Sequence, residues 1–204
     1  MRKFISGLIL GAGASQRFGE PKQLLPFADT TLLGWVVAQT RRADALDETV
    51  VVLGRSADEI RARVDFGDAR IVENPVFTEG CASSYRAGIV GINVRSDAIM
   101  IILGDQPGIT PEIINALAEE WRDSDAPIAI CSYEDRKGHP MIFARPMFDQ
   151  LESLHGDKAA WKLVDANATA VLQVPIPLPF PEDINTREDF QRIAAMQKAQ
   201  RTTN

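Results

Sequence analysis

Residues 8–22 read LILGAGASQRFGEPK, and the fold follows from the change of character within this stretch. The apolar run Phe4 to Leu10 predicts a buried first strand. Three glycines (Gly11, Gly13, Gly19) and two cations (Arg17, Lys22) come next, with no carboxylate before Glu20. Glycines let the backbone turn sharply and bring its N–H groups against phosphate oxygens, and the cations neutralise what the amides cannot. A strand running into such a loop predicts phosphate binding at the carboxyl end of a sheet.

Working outward, Thr30 or Thr31 can cap a helix to about Ala43, and Thr49 to Leu53 is a short β-branched strand. Ser56 and Glu59 form a capping-box pattern ahead of a helix to about Val64. Arg70 to Glu73 predicts a third strand, and Cys81 to Ile92 a helix whose small first residues suit a site. Ala98 to Leu103 is the most apolar strand and so is placed centrally. Thr110-Pro111-Glu112 starts a helix to about Arg122, with proline at the first helical position. Pro127 to Ser132 predicts a fifth strand, and Met141 to Phe143 a further apolar piece. Helices over about 146–154 and 157–167 precede a strand at Ala170 to Val174. Prolines 175, 177, 179 and 181 enforce an extended connector, and Thr186 with Asp189 starts a last helix to about Lys198.

This alternation predicts an α/β fold, a single-domain doubly wound, mostly parallel mixed sheet, with an antiparallel strand or hairpin completing its second half. One domain over residues 1–200 is expected, with 201–204 a frayed tail. Ligands in such sheets sit beyond the carboxyl ends of the strands, where the first loop and the Gly104-Asp105 turn both open.

Composition narrows the function. The chain has 204 residues, a net charge of −6, and no basic run, which argues against nucleic acid as a partner. No segment is long and apolar enough to cross a membrane. Arg2-Lys3, Phe4 to Leu10 and Ala12-Gly13-Ala14 superficially match a secretory leader. The apolar part is short, and cleavage would remove the loop's start. Cys81 and Cys131 show neither metal-ligand spacing nor a disulfide framework, which suits a reducing, cytoplasmic setting.

Two common glycine loops fail to fit. Gln16 occupies the third glycine position of the dinucleotide fingerprint, and Gly54-Arg55 stands where an acid should end the second strand. The Gly-Lys-Ser or Gly-Lys-Thr ending of the Walker loop is absent. The longer loop, with Arg17 and Lys22 five apart, suits a triphosphate. Triphosphate chemistry calls for a divalent ion with oxygen ligands. Asp105, just past the most buried strand, is the natural candidate, with Asp183 or Asn185 after the proline connector as a second ligand.

The residues Leu10-Gly11-Ala12-Gly13-Ala14-Ser15-Gln16-Arg17-Phe18-Gly19-Glu20-Pro21-Lys22 resemble the first motif of the molybdenum cofactor cytidylyltransferases and the related molybdopterin guanylyltransferases. Asn74-Pro75 with Gly80 to Ser84, then Leu103 to Pro107, Gly138-His139-Pro140, Gly156-Asp157-Lys158 and Asp183 to Thr186, follow in that family's order. The resemblance covers essentially the whole chain. It implies a Rossmann-like nucleotidyltransferase fold and transfer of a nucleoside monophosphate to a phosphorylated acceptor, with release of pyrophosphate. It implies Mg2+ (or Mn2+) at Asp105 with Asp183 or Asn185, and catalysis by Arg17, Lys22 and Asp105. Nucleotide binding falls to Leu10, Gly11, Ala12, Gly13, Ser15, Arg17, Lys22, Asn74 and Ser83. His139, Asp157 and Lys158 are the acceptor candidates.

The family's base-reading position makes Ala12 favour CTP, and a molybdopterin-type cofactor is the implied acceptor, with a molybdoenzyme as possible recipient. Three departures bear on this: Gly11 replaces an alanine, Ala159 a glycine and Asn185 an aspartate. The alternatives are a guanylyltransferase using GTP, a transferase to another phosphorylated acceptor, and a nucleotide-binding oxidoreductase or non-catalytic binder.

Overall fold

A computed structural model describes residues 2–13, 15, 18–156 and 159–203. Arg17, Asp157 and Lys158 therefore lie outside the described residues. The chain runs β1 (Ile5–Gly11), a short antiparallel pair β2 (Pro26–Phe27) and β3 (Thr30–Thr31), α1 (Leu32–Arg41), β4 (Glu48–Leu53), α2 (Ala57–Arg63), β5 (Arg70–Glu73), α3 (Cys81–Gly91) and β6 (Ala98–Leu103). It continues through α4 (Pro111–Arg122), β7 (Ile128–Ser132), β8 (Lys137–Ala144), α5 (Phe148–Glu152), α6 (Ala159–Ala166), β9 (Val171–Pro175) and α7 (Arg187–Thr203).

Seven strands form one mixed sheet in the order β5-β4-β1-β6-β8-β7-β9. Neighbours pair in parallel except at β8, which runs antiparallel to both β6 and β7. The apolar run of β1 exists because parallel neighbours on both sides and helices on both faces bury all of it but the half-buried Leu10 at the cleft. Its alternate residues divide the core. Ile5 and Ile9 face the layer of α1 and α4, whereas Leu8 faces the layer of α3, α5 and α6. β6, fourth of the seven, takes the central place expected of it.

The first crossovers carry the chain from β1 outward to β4 and β5, and α3 then brings it back to β6 on β1's other side. The β1–β6 boundary is thus the point where strand order reverses, and a crevice opens there beyond the strand ends. Gly104 sits against the end of β1: its N–H donates to the Leu10 carbonyl at 3.1 Å, and a Cβ here would lie 2.8 Å from that oxygen.

A third, smaller core locks the end of the proline connector onto the glycine loop. Phe18, Leu25, Phe27 and Leu32 enclose the fully buried Ile184, and Phe190 and Ile193 of α7 pack over them. A reciprocal cap starts α7: the Thr186 N–H donates to Asp189 Oδ2 at 2.8 Å, and the Asp189 N–H to Thr186 Oγ1 at 3.1 Å.

The structure corrects several local expectations. Ser56 takes a left-handed conformation, φ 61°, and makes no side-chain cap, while Glu59 pairs with Arg63 at 3.1 Å instead. The apolar piece after Pro140 is part of a longer, eight-residue strand, the antiparallel strand expected in the second half of the sheet. The last helix continues to Thr203, beyond the expected end near Lys198.

Candidate active site

Gln23, next to Lys22 in a short 3-10 turn, organises the glycine loop from within. Its side-chain amide donates to the carbonyls of Gly11 (2.8 Å) and Gly13 (2.9 Å), and its oxygen accepts from Ser15 Oγ at 3.1 Å. Ser15 Oγ in turn accepts the Lys22 N–H at 3.0 Å. Ser15 and Gly19 both have positive φ, 52° and 73°, which curls the loop back on itself. The loop is flanked by two clefts that share Gly13 and Gln23. One, about 70 Å³, lies between Gly11 and Gly104-Asp105, and the other, about 400 Å³, lies between Gly19 and Arg55.

Lys22 reaches across the strand-order reversal. Its Nζ lies 2.5 Å from Asp105 Oδ2 and donates to the Ile184 carbonyl at 2.9 Å. The two side chains are only 15% and 24% exposed, so solvent screens this pair less than a surface one. Ile184 explains how a segment far away in sequence is held here. Its side chain is buried in the third core, and its N–H donates to the Asp105 carbonyl at 2.9 Å. Asp183 and Asn185 are thereby held on either side of this anchor.

Asp183 is the least satisfied of these groups. Its Oδ1 is buried without a hydrogen-bond partner. Burial raises its carboxyl above the ordinary range and the negative charge of Asp105 adds to the rise, against hydrogen bonds from Gln106 and Asn185 and the charge of Lys22. Two carboxylates within electrostatic reach, one with an unused buried oxygen, form the donor set a hard divalent cation prefers. Among the described residues, no group of three or more His, Cys, Asp or Glu side chains converges to hold a metal.

The remaining candidates divide. Leu10, Gly11 and Gly13 line the narrow cleft, while Ala12 is buried and turned toward Gly54 and Phe77. Asn74 and Ser83 are 2% and 1% exposed and face each other: Asn74 Nδ2 donates to Ser83 Oγ at 2.8 Å and to Ser84 Oγ at 3.1 Å. They brace β5 against the start of α3. His139 is buried, with its carbonyl accepting from Tyr133 Oη at 2.6 Å and its ring edge-on to Trp161. Burial pushes its imidazole pKa down to about 4 despite the opposing charge of Asp105, so it is neutral at pH 7. Its Nε2 lacks a partner. Arg17, Asp157 and Lys158 fall outside the described residues. Gln23, Ile184 and Trp161 escaped the sequence-based site list, because each acts through contacts that no local motif marks.

The family model described as the MobA-like NTP transferase domain matches residues 7–171. The chain belongs to this family. The MobA-like chain is 35% identical over 144 residues to the nicotine blue oxidoreductase of Paenarthrobacter nicotinovorans, covering 68% of this chain and 70% of that protein. It is 23% identical over 190 residues to the molybdenum cofactor cytidylyltransferase of Escherichia coli K12, covering 91% and 93%. A Mycobacterium tuberculosis H37Rv protein solved in complex with manganese shares the MobA-like fold with a TM-score of 0.81 at 34% identity, covering 96% of this chain and 100% of that one. No helix among the described residues is long and apolar enough to cross a membrane.

Proposed function

We propose that the protein transfers CMP from CTP to a phosphorylated, molybdopterin-type cofactor with release of pyrophosphate, using Mg2+ or Mn2+. One observation carries this reading: Lys22, Asp105 and Asp183 converge at the strand-order reversal, with a buried carboxylate oxygen of Asp183 left unpaired. A site that only recognised a neutral or singly charged ligand would gain nothing from two carboxylates placed beside the phosphate loop.

The chemistry is an in-line displacement. An oxygen of the acceptor phosphate forms a new bond to the α-phosphorus, the bond from that phosphorus to the bridging oxygen of the β-phosphate breaks, and its electron pair leaves on pyrophosphate. The acceptor monoester is largely ionised at neutral pH, so the protein need not supply a strong base. Catalysis then consists of positioning and charge neutralisation. Lys22, Arg17 and the loop amides hold the triphosphate and stabilise the leaving pyrophosphate. Asp105 and Asp183 would hold the divalent ion, which when bound supplies positive charge to the reacting phosphate. Asn185 orients Asp183. Asn74 and Ser83 act on the nucleotide by holding the start of α3. His139, Asp157 and Lys158 receive the acceptor.

Ala12 favours cytosine, and the M. tuberculosis manganese complex and the E. coli cytidylyltransferase lend support to metal use and to CTP. GTP in place of CTP, or another phosphorylated acceptor, is the alternative within the family. A molybdoenzyme is the proposed recipient of the product. A second reading, a nucleotide-binding oxidoreductase, is favoured by the 35% identity to nicotine blue oxidoreductase. Pyrophosphate release should be measured with CTP, GTP, ATP and UTP, with and without Mg2+ or Mn2+, with molybdenum cofactor as acceptor. Metal-dependent release from CTP is expected. Binding of a nicotinamide cofactor, with all four triphosphates inert, would replace this reading by the oxidoreductase.

A further inference from the structure

The wider cleft beside the glycine loop has a cation on its far wall that the reaction described above leaves unused. Arg55 stands two residues past the end of β4 and lines this cleft together with Gly13, Ser15 and Gly19. It is exposed, and among the described residues it has no hydrogen bond or ion pair. Among the described residues, two other charges nearby already have partners. Glu20, on the same cleft, pairs with Arg187 at 2.9 Å, and Lys22 is held by Asp105 and Ile184. A guanidinium without a partner among the described residues, sharing a cleft of about 400 Å³ with the glycine loop, is suited to take a phosphate there.

The two clefts adjoin at the glycine loop, which suggests the phosphate concerned. Gly13 and Gln23 belong to both, so a chain of phosphates whose reacting end lies by Asp105 passes Gly13 and ends in the cleft of Arg55. We infer that Arg55 is a nucleotide-binding residue that holds the terminal phosphates of the triphosphate, and hence the departing pyrophosphate. The inference rests on the nucleotidyl-transfer reading. Arg55 also stands at the end of the second strand of the doubly wound half, where dinucleotide folds read the ribose or its 2′-phosphate. That gives the test a second arm.

Titration calorimetry with inorganic pyrophosphate, CMP and adenosine 2′,5′-bisphosphate should compare the parent protein with Arg55→Ala and Arg55→Lys. Arg55 is exposed, so both variants should fold, and circular dichroism checks this. The expected result is pyrophosphate affinity about tenfold weaker in Arg55→Ala, partly recovered in Arg55→Lys, with CMP binding unchanged. Pyrophosphate affinity equal in parent and Arg55→Ala would overturn the assignment. So would an effect confined to CMP or to adenosine 2′,5′-bisphosphate, or a parent protein that binds no pyrophosphate. If the pyrophosphate pattern holds while no triphosphate is turned over, the phosphate contact stands and the transfer reaction fails, so the two claims separate.

Discussion

The two edges of the sheet solve the same problem in opposite ways. At the amino ends of β1, β4 and β6, polar groups enter the core fully paired. Ser6 Oγ donates to Glu48 Oε1 at 2.5 Å and contacts Ser96 Oγ at 2.8 Å, and the Asn93 N–H also donates to Glu48 Oε1, at 2.6 Å. Asp47 accepts from the Ile5 N–H at 2.8 Å and from Arg122 at 3.2 Å. At the carboxyl ends of the same strands the pairing is incomplete. Among the described residues, the buried side-chain atoms without partners are Gln106 Oε1, His139 Nε2 and Asp183 Oδ1, and all three are on or beside the Asp105 turn. Burying an unpaired polar atom costs about 1–3 kcal/mol. One edge avoids that cost and holds the fold together, whereas the other bears it where a ligand can supply the missing partners.

Substitutions should therefore separate stability from activity by edge. Lys22→Ala should lower kcat/KM for CTP about 10³-fold, since it removes a cation from the proposed phosphate site, with the native circular dichroism retained. A triphosphate affinity equal to the parent's by calorimetry would remove Lys22 from the site. His139 gives the next effect. Its folded pKa, about 4, lies below the usual 6.5, so between these values the unfolded chain binds a proton that the folded one does not. Stability from this group is fully present above pH 6.5 and is lost as pH falls toward 4, by about 3 kcal/mol in all. Urea unfolding should show this slope, and His139→Gln should flatten it; a variant with the parent's slope would clear His139 of responsibility.

Glu48→Ala, at the paired edge, should cost about 2 kcal/mol of stability and leave kcat at the parent level, because it removes the acceptor of both the Ser6 hydroxyl and the Asn93 N–H. Impaired turnover in folded Glu48→Ala would erase the distinction between the edges. The smallest effect has the opposite sign. Asp183→Asn removes a carboxylate disfavoured by burial and by Asp105, so the metal-free protein should melt about 2 °C higher while losing activity. A lower melting point would show that Asp183 supports the fold.

Much of the parallel half was legible because each element carries its own signal. β1, β4, β5, β6 and α4 were placed within a residue or two, from apolar runs and from Thr110-Pro111. That the loops bearing Lys22 and Asp105 open on one edge followed from the strand order, although their direct contact did not. What stayed hidden depends on the rest of the molecule. Only the apolar core of β8, Met141 to Phe143, stood out, because Pro140 interrupts the pattern of the longer strand. The β2–β3 pair is too short for any periodicity. Ser56 shows a capping-box sequence, yet it turns left-handed where the chain leaves β4. Gln23 was missed because an amide bonding to its own loop's carbonyls looks, in sequence, like any surface glutamine. The approach of Ile184 to Lys22 is set by a buried cluster assembled from distant segments.

The central claim is that the unpaired edge is a nucleotidyl-transfer site built around Asp105. It is tested most directly by metal-dependent pyrophosphate release from CTP, with molybdenum cofactor as acceptor, in the parent and in Asp105→Ala. The account predicts release by the parent and a loss of about 10³-fold or more in the variant, with its fold intact. Undiminished release by Asp105→Ala would contradict it.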